Sequence, residues 1–309
     1  MRYVNGRLSL PDVVQLQLVI DPFSDRAGAV QAARSWFDLG WRQLGGELRE
    51  AAVAQASGDT GVARALSPFG VEAGMAFSYG FLGQEISRDM GFSDESWAEL
   101  LAAMAKLPSA LFVAGTLTAD GRAGEVPRIY EASHYLEIML RPSFGPGGRY
   151  SILTLRLRAD SVLTAPEREA VMPAVLKAVA ASTSPVFGEI SYSYTSPLTA
   201  MEYVLRTDPS IAFPDPEQVL RGYSWVTVVP EEMGLALGGR DRLAGSGAFW
   251  NVERLPRGGY WLQATERFAD YRQAEAERVF DVLRPHLPAN AYASDFRDAR
   301  RPIPGAAVG

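Results

Sequence analysis

The 309-residue chain contains no cysteine and two histidines, His134 and His286. Without cysteine there is no disulfide, no thiol nucleophile, no Cys-ligated zinc and no iron–sulfur cluster. Two isolated histidines, with no HExxH pattern, fall short of the ligand set that a closed transition-metal site needs. No EF-hand pattern occurs either, so no metal and no cofactor is expected. The chain also lacks a run of Lys and Arg, and its formal net charge is −6. A general nucleic-acid binder needs a concentrated basic surface, so no nucleic acid is expected as partner. Long apolar runs are missing too. The most apolar later window, around 101–115, is broken by Lys106 and Pro108 and is shorter than the roughly 18 residues a membrane span requires. The opening MRYVNGRLSLPDVV has neither a sustained apolar core nor a small-residue cleavage site. No membrane association and a cytoplasmic location are the resulting expectations.

Signatures of catalysis are equally scarce. There is no G-x-S-x-G elbow, no G-x-x-x-x-G-K-[ST] and no G-x-G-x-x-G. A catalytic triad would have to recruit one of the two histidines, and His286 sits between prolines at the end of a helical stretch, where a cation suits the dipole.

What is present is a chain 47% hydrophobic and 21% charged, with aromatics in plenty, ordinary for a globular protein large enough to bury a core. Residues 14–20 (VQLQLVI) alternate as a strand, and 27–44 follow at helical spacing up to Gly45-Gly46. Residues 47–93 carry no clear period. Ser93-x-x-Ser96 opens a short helix that Pro108 ends. Strands are expected at 111–117, 134–141 and 150–158, then a helix from Pro166 to about 181 in which Pro173 predicts a kink or a later start. Further strands are expected at 186–194, 223–229, 248–252 and 259–265, with helices at 196–207, 231–237 and 270–287. This order predicts an α+β fold with largely antiparallel sheets and flanking helices. Three strand–helix units suggest two similar lobes, about 1–145 and 146–288, within one domain, with 289–309 as a C-terminal tail.

A candidate pocket also stands out. Glu137, Arg156, Arg158 and Glu189 fall on positions that alternation could bring to one sheet face, where paired carboxylates with arginines suit acid–base work on a polar ligand, and Trp225 could line it. A solvated face with cross-strand pairs explains the same pattern, because antiparallel sheets commonly leave one face wet. Trp225, Trp250 and Trp261 fall on three expected strands and read as packing residues.

The stretch GYSWVTVVPEEMGLALGG (222–239) is the most informative. Pro230-Glu231-Glu232 reads as a helix start, with acids where the dipole favours them. Gly238-Gly239 then supply a positive-φ stop, so they lie at a helix C-terminus, whereas anions bind at N-termini. Gly222-Tyr223-x-Trp225, Leu237-Gly238-Gly239, Leu243, the run Gly258-Gly259-Tyr260-Trp261-Leu262-Gln263-Ala264 and the closing VLRPHLP (282–288) together resemble the bacterial family of type VI immunity proteins. The likeness is best over 185–288. It implies a non-enzymatic protein that binds and neutralises a cognate toxin by occlusion, in the setting of type VI secretion. Glu231 and Glu232, at the first turn of a helix, are the expected partner-binding residues. An enzyme or small-molecule-binding protein with a pocket between lobes is the alternative. Oligomeric state is not encoded in any of these features.

Overall fold

A computed structural model describes residues 2–4, 7–9, 13–50, 73–80, 93–116, 135–142, 149–159, 166–193, 198–206 and 215–296. Its frame is an antiparallel nine-stranded sheet flanked by helices, the expected α+β class. The strands are β3 (Val13–Ile20), β4 (Ala73–Gly80), β5 (Ser109–Thr116), β6 (Tyr135–Pro142), β7 (Ser151–Arg158), β8 (Pro185–Ser193), β9 (Val226–Val229), β10 (Asn251–Arg254) and β11 (Tyr260–Gln263). Their spatial order is β10-β11-β9-β8-β3-β7-β6-β5-β4. A separate hairpin pairs β1 (Arg2–Val4) with β2 (Arg7–Ser9).

β3 is the central strand, and all eight of its residues are buried. Its alternation, VVQLQLVI, sends Leu16 and Leu18 to one face and Gln15 and Gln17 to the other. The apolar face receives α1 (Arg26–Leu44) and α3 (Pro166–Ala180), which also pack on each other. Gly40 of α1 is small where the helix crosses the sheet: a Cβ there would come within 2.7 Å of Leu155 and 3.1 Å of Ile138. Trp41 continues the contact, stacking edge-on against Phe112 at 4.9 Å and meeting Trp97 of α2 (Asp94–Ala103). The capping box of α2 is the expected one, Ser93 with Ser96.

Pro173 does not break α3. The helix runs through it, because Met172, Val175, Leu176 and Val179 are all buried against the sheet. That burial outweighs one missing hydrogen bond and the ring clash of an interior proline, about 3 kcal/mol. The expected closing helix is split instead: a 3₁₀ turn at Phe268–Asp270, α7 over Gln273–Leu283, and a second 3₁₀ turn at Arg284–His286 around Pro285.

The boundary expected near residue 145 lies between β6 and β7, which pair directly in the sheet. β3, from the first part of the chain, hydrogen-bonds on both sides to strands of the second, β7 and β8. Within the segment expected as a C-terminal tail, Tyr292, Ser294 and Phe296 pack on Tyr223. Phe296 is buried, its ring 5.7 Å from Tyr223, and the Ser294 amide donates to the Tyr223 hydroxyl at 2.9 Å. Residues 297–309 lie outside the described residues.

Candidate functional site

The second face of the central sheet is polar and buried. Glu137 of β6, Arg156 of β7 and Gln15 of β3 stand in register across three strands. Gln17 follows in register with both Thr154 of β7 and Glu189 of β8. So Glu137, Arg156 and Glu189 do share one face, but it is covered, not wet. The cover over β3 and β8 comes from residues 198–206, including α4 (Ala200–Leu205), and from the stretch around Arg221.

Arg221 joins the layers. Its guanidinium donates to both Glu202 carboxylate oxygens at 2.7 Å, to Gln17 Oε1 at 2.9 Å, and lies over the Phe187 ring. Glu202 in turn accepts from the Thr199 amide at 2.8 Å, while Thr199 Oγ1 accepts from the Glu202 amide, closing a capping box on α4. Glu189 sits beside this pair, 1% exposed. Burial pushes its carboxyl up to about 7, and the nearby Glu202 pushes the same way. The Ser191 hydroxyl, donating at 2.8 Å, the Arg221 charge and the Ala200 amide oppose the rise. Gly222 packs closely on the cluster: a Cβ there would be 3.1 Å from Thr199 Oγ1 and 3.6 Å from a Glu189 carboxylate oxygen.

Arg156 and Glu137 form a second group, paired at 3.3 Å, with the Tyr135 hydroxyl donating to Glu137 at 2.8 Å. Trp225 belongs to neither. Its indole N–H donates to the Thr265 carbonyl at 2.8 Å and its ring packs on Phe268 at 5.2 Å. Glu137, Arg156, Glu189 and Trp225, expected around one pocket, thus occupy three separate settings. Arg221, Glu202 and Gln17, which organise the buried charge, were not singled out by sequence. Thr199-x-x-Glu202 is a capping-box pattern that marks one of them, but a partner 19 residues further along leaves no local trace.

The expected surface acids also part ways. Pro230 is the N-cap of α5 (Glu231–Ala236), and Gly238, at φ 99°, ends that helix as expected. Gly239 opens another short helix at once, α6 (Gly239–Gly245). Glu231 is engaged: it accepts from Arg254 at 2.8 Å and from the Gly259 amide at 2.9 Å, pinning the β10–β11 turn. Glu232 is exposed. Trp261 and Trp225 are core residues, whereas Trp250 is 57% exposed, joining Leu235 at 58% and Phe23 at 76%. Trp250 immediately precedes the edge strand β10.

Among the described residues, no group of three or more His, Asp or Glu could hold a metal ion. His286 Nδ1 is hydrogen-bonded with the Gln218 carbonyl at 3.0 Å, and His134 lies outside the described residues. No described helix is long and apolar enough to cross a membrane.

No protein-family model and no curated protein matches the chain. A solved structure, the Pseudomonas aeruginosa T6SS protein PA0821, shares its fold with a TM-score of 0.54 at 13% identity, over 91% of this chain and 76% of that one. At that identity the likeness is one of fold: this chain is built like a protein of the T6SS.

Proposed function

We propose that the protein binds a cognate protein toxin in the cytoplasm and neutralises it by occlusion, as an immunity-type partner in a type VI secretion setting. The observation that carries this reading is where the ionisable groups are spent. Glu189, Glu202, Arg221, Glu137 and Arg156 are all buried, with Arg221 paired to Glu202, Arg156 to Glu137, and Glu189 bonded by Ser191. Arg221, bonded to Glu202 and Gln17, ties the cover to the sheet, and Arg156 and Glu137 tie neighbouring strands. The large apolar side chains left outside, Phe23, Leu235 and Trp250, are the kind that anchor protein interfaces. The fold shared with a T6SS protein supports the biological setting.

Occlusion spreads its free energy over an interface of roughly 1,200–2,000 Å², so no single buried carboxylate should be indispensable. The test is a host-protection assay against the toxin that co-purifies with the tagged protein from its native host. Folded Glu137→Gln and Glu189→Gln variants are expected to protect like wild type. If either one alone abolishes protection, chemistry at the polar layer replaces occlusion as the leading reading.

A further inference from the structure

Glu189 and Glu202 are two carboxyls buried side by side under one cover, and the cation beside them is Arg221. That guanidinium is already spent on Glu202, to which it donates from both Nε and Nη2. Its Nη1 donates to Gln17. Around Glu189 the sheet offers only neutral groups. Gln17 of β3 and Thr227 of β9 stand in register with it, and the Ser191 hydroxyl donates at 2.8 Å. From the cover come the Ala200 amide, which donates to the carboxyl, the Glu202 carboxylate and Arg221. Gly222 closes over it, a Cβ there lying 3.6 Å from the carboxyl oxygen. Ahead of α7, the phenol of Tyr271, kept protonated by burial, is near enough to feel a charge on Glu189. An ionised Glu189 would therefore have to share one guanidinium with Glu202.

The cover is joined to itself more firmly than to the sheet. Residues 198–206 and 220–224 are linked by the Glu202–Arg221 ion pair at 2.7 Å and by Thr199 Oγ1, which donates to the Arg221 carbonyl at 3.2 Å. Among the described residues, the polar ties down to the sheet run through Gln15, which donates to the Leu198 carbonyl at 3.2 Å, Gln17 and Glu189. α4, with six residues, is too short to persist by itself. α1 and α3 pack on the opposite, apolar face, away from these ties. Opening one such unit costs less than unfolding the whole chain.

We propose that Glu189 is the latch of a pH-operated cover: protonated, it holds residues 198–206 and 220–224 down on the polar face of the sheet, and ionised, it releases them while the rest of the fold stays intact. Ionisation sets two carboxylates against one guanidinium in a buried layer, a cost relieved when the cover parts and water reaches Glu189. The direction follows from linkage. Burial holds the carboxyl up to about 7 against an ordinary 4.5, so the closed form binds the proton more tightly than the open one. Opening grows as pH rises through that interval and levels off above about 7. The latch is independent of the partner-binding reading.

Hydrogen exchange of the full-length protein, followed by mass spectrometry at pH 5 and pH 8 and corrected for the intrinsic pH dependence of exchange, reads the cover directly. Peptides spanning 199–206 and 220–225 should lose protection by about tenfold or more at pH 8, while peptides from α1 and β7 keep theirs. In Glu189→Gln, whose amide is neutral at both pH values, the cover should be equally protected at pH 5 and pH 8. Glu202→Gln frees Arg221 for an ionised Glu189 and should shrink the pH response, which gives a second reading if the first variant does not fold. A wild-type cover whose protection is the same at both pH values overturns the proposal. So does an equal loss of protection in α1 and β7, which would mean that the fold titrates as a whole, or an undiminished response in a folded Glu189→Gln or Glu202→Gln.

Discussion

At the residue scale, Glu189 concentrates the electrostatics of the molecule. Its carboxyl is held up to about 7 against an ordinary 4.5, chiefly by burial. The folded protein therefore keeps the proton at pH values where the unfolded chain releases it. Stability from this group is full below the unfolded value and is lost as pH rises through about 7. The interval corresponds to on the order of 3 kcal/mol. We expect the wild-type thermal midpoint to fall between pH 5 and pH 8 and a Glu189→Gln variant to show a flatter profile, read by differential scanning fluorimetry. Parallel profiles for the two proteins would mean that Glu189 is not the titrating group.

At the scale of elements, the α5–β11 contact depends on a missing side chain. Gly234 brings α5 onto the Tyr260 ring, and a Cβ there would collide with that ring, which is buried and has no room to swing aside. Gly234→Ala should cost about 1–3 kcal/mol through overpacking, read as a lower urea midpoint. Gly245, at the end of α6, has nothing within 4 Å of its would-be Cβ and no positive φ. Gly245→Ala should be neutral or stabilise by up to about 1 kcal/mol. The pair of glycines thus separates close packing from backbone freedom within one short region. The double glycine at 238–239 behaves as the sequence implies for its first member, and its second opens a helix that no local pattern announces.

At the scale of the whole molecule, the segment with Tyr292, Ser294 and Phe296 packs back on Tyr223. Residues 289–296 lie over Tyr223, whose hydroxyl donates to the Tyr292 carbonyl and accepts from the Ser294 amide, both at 2.9 Å. Phe296→Ala should remove about 3–5 kcal/mol, the usual cost of emptying a buried aromatic site, measured as a shift of the urea midpoint. A loss under about 0.5 kcal/mol would mean that the segment is free in solution. No periodicity marks these residues as core, since they form no helix or strand, and their burial comes from Tyr223, far away in the sequence.

Alternation and capping alone determined much of this protein. The Leu/Gln alternation of β3, the Ser93 capping box and the Pro230-Glu231-Glu232 helix start are local, and each appears in the structure as its period or cap requires. Alternation made a shared face for Glu137, Arg156 and Glu189 an expectation, and the strand registers supplied it. Whether that face was wet, open or sealed depended on which segment would lie over it. β4, built from Ala, Gly and Ser as much as from aromatics, is a strand only because β5 offers it an edge. Pro173 stays helical only because α3 has a sheet to bury against. Arg221, Glu202, Gln17 and Glu189 come from four segments, and their shared charge has no meaning until the sheet and its cover meet. The same holds for Asp21 and Asp25, whose partners Arg149 and Arg257 arrive from distant segments. Local patterns follow from forces acting within a few residues. Burial, pairing and exposure are long-range and are set only when distant segments share a surface.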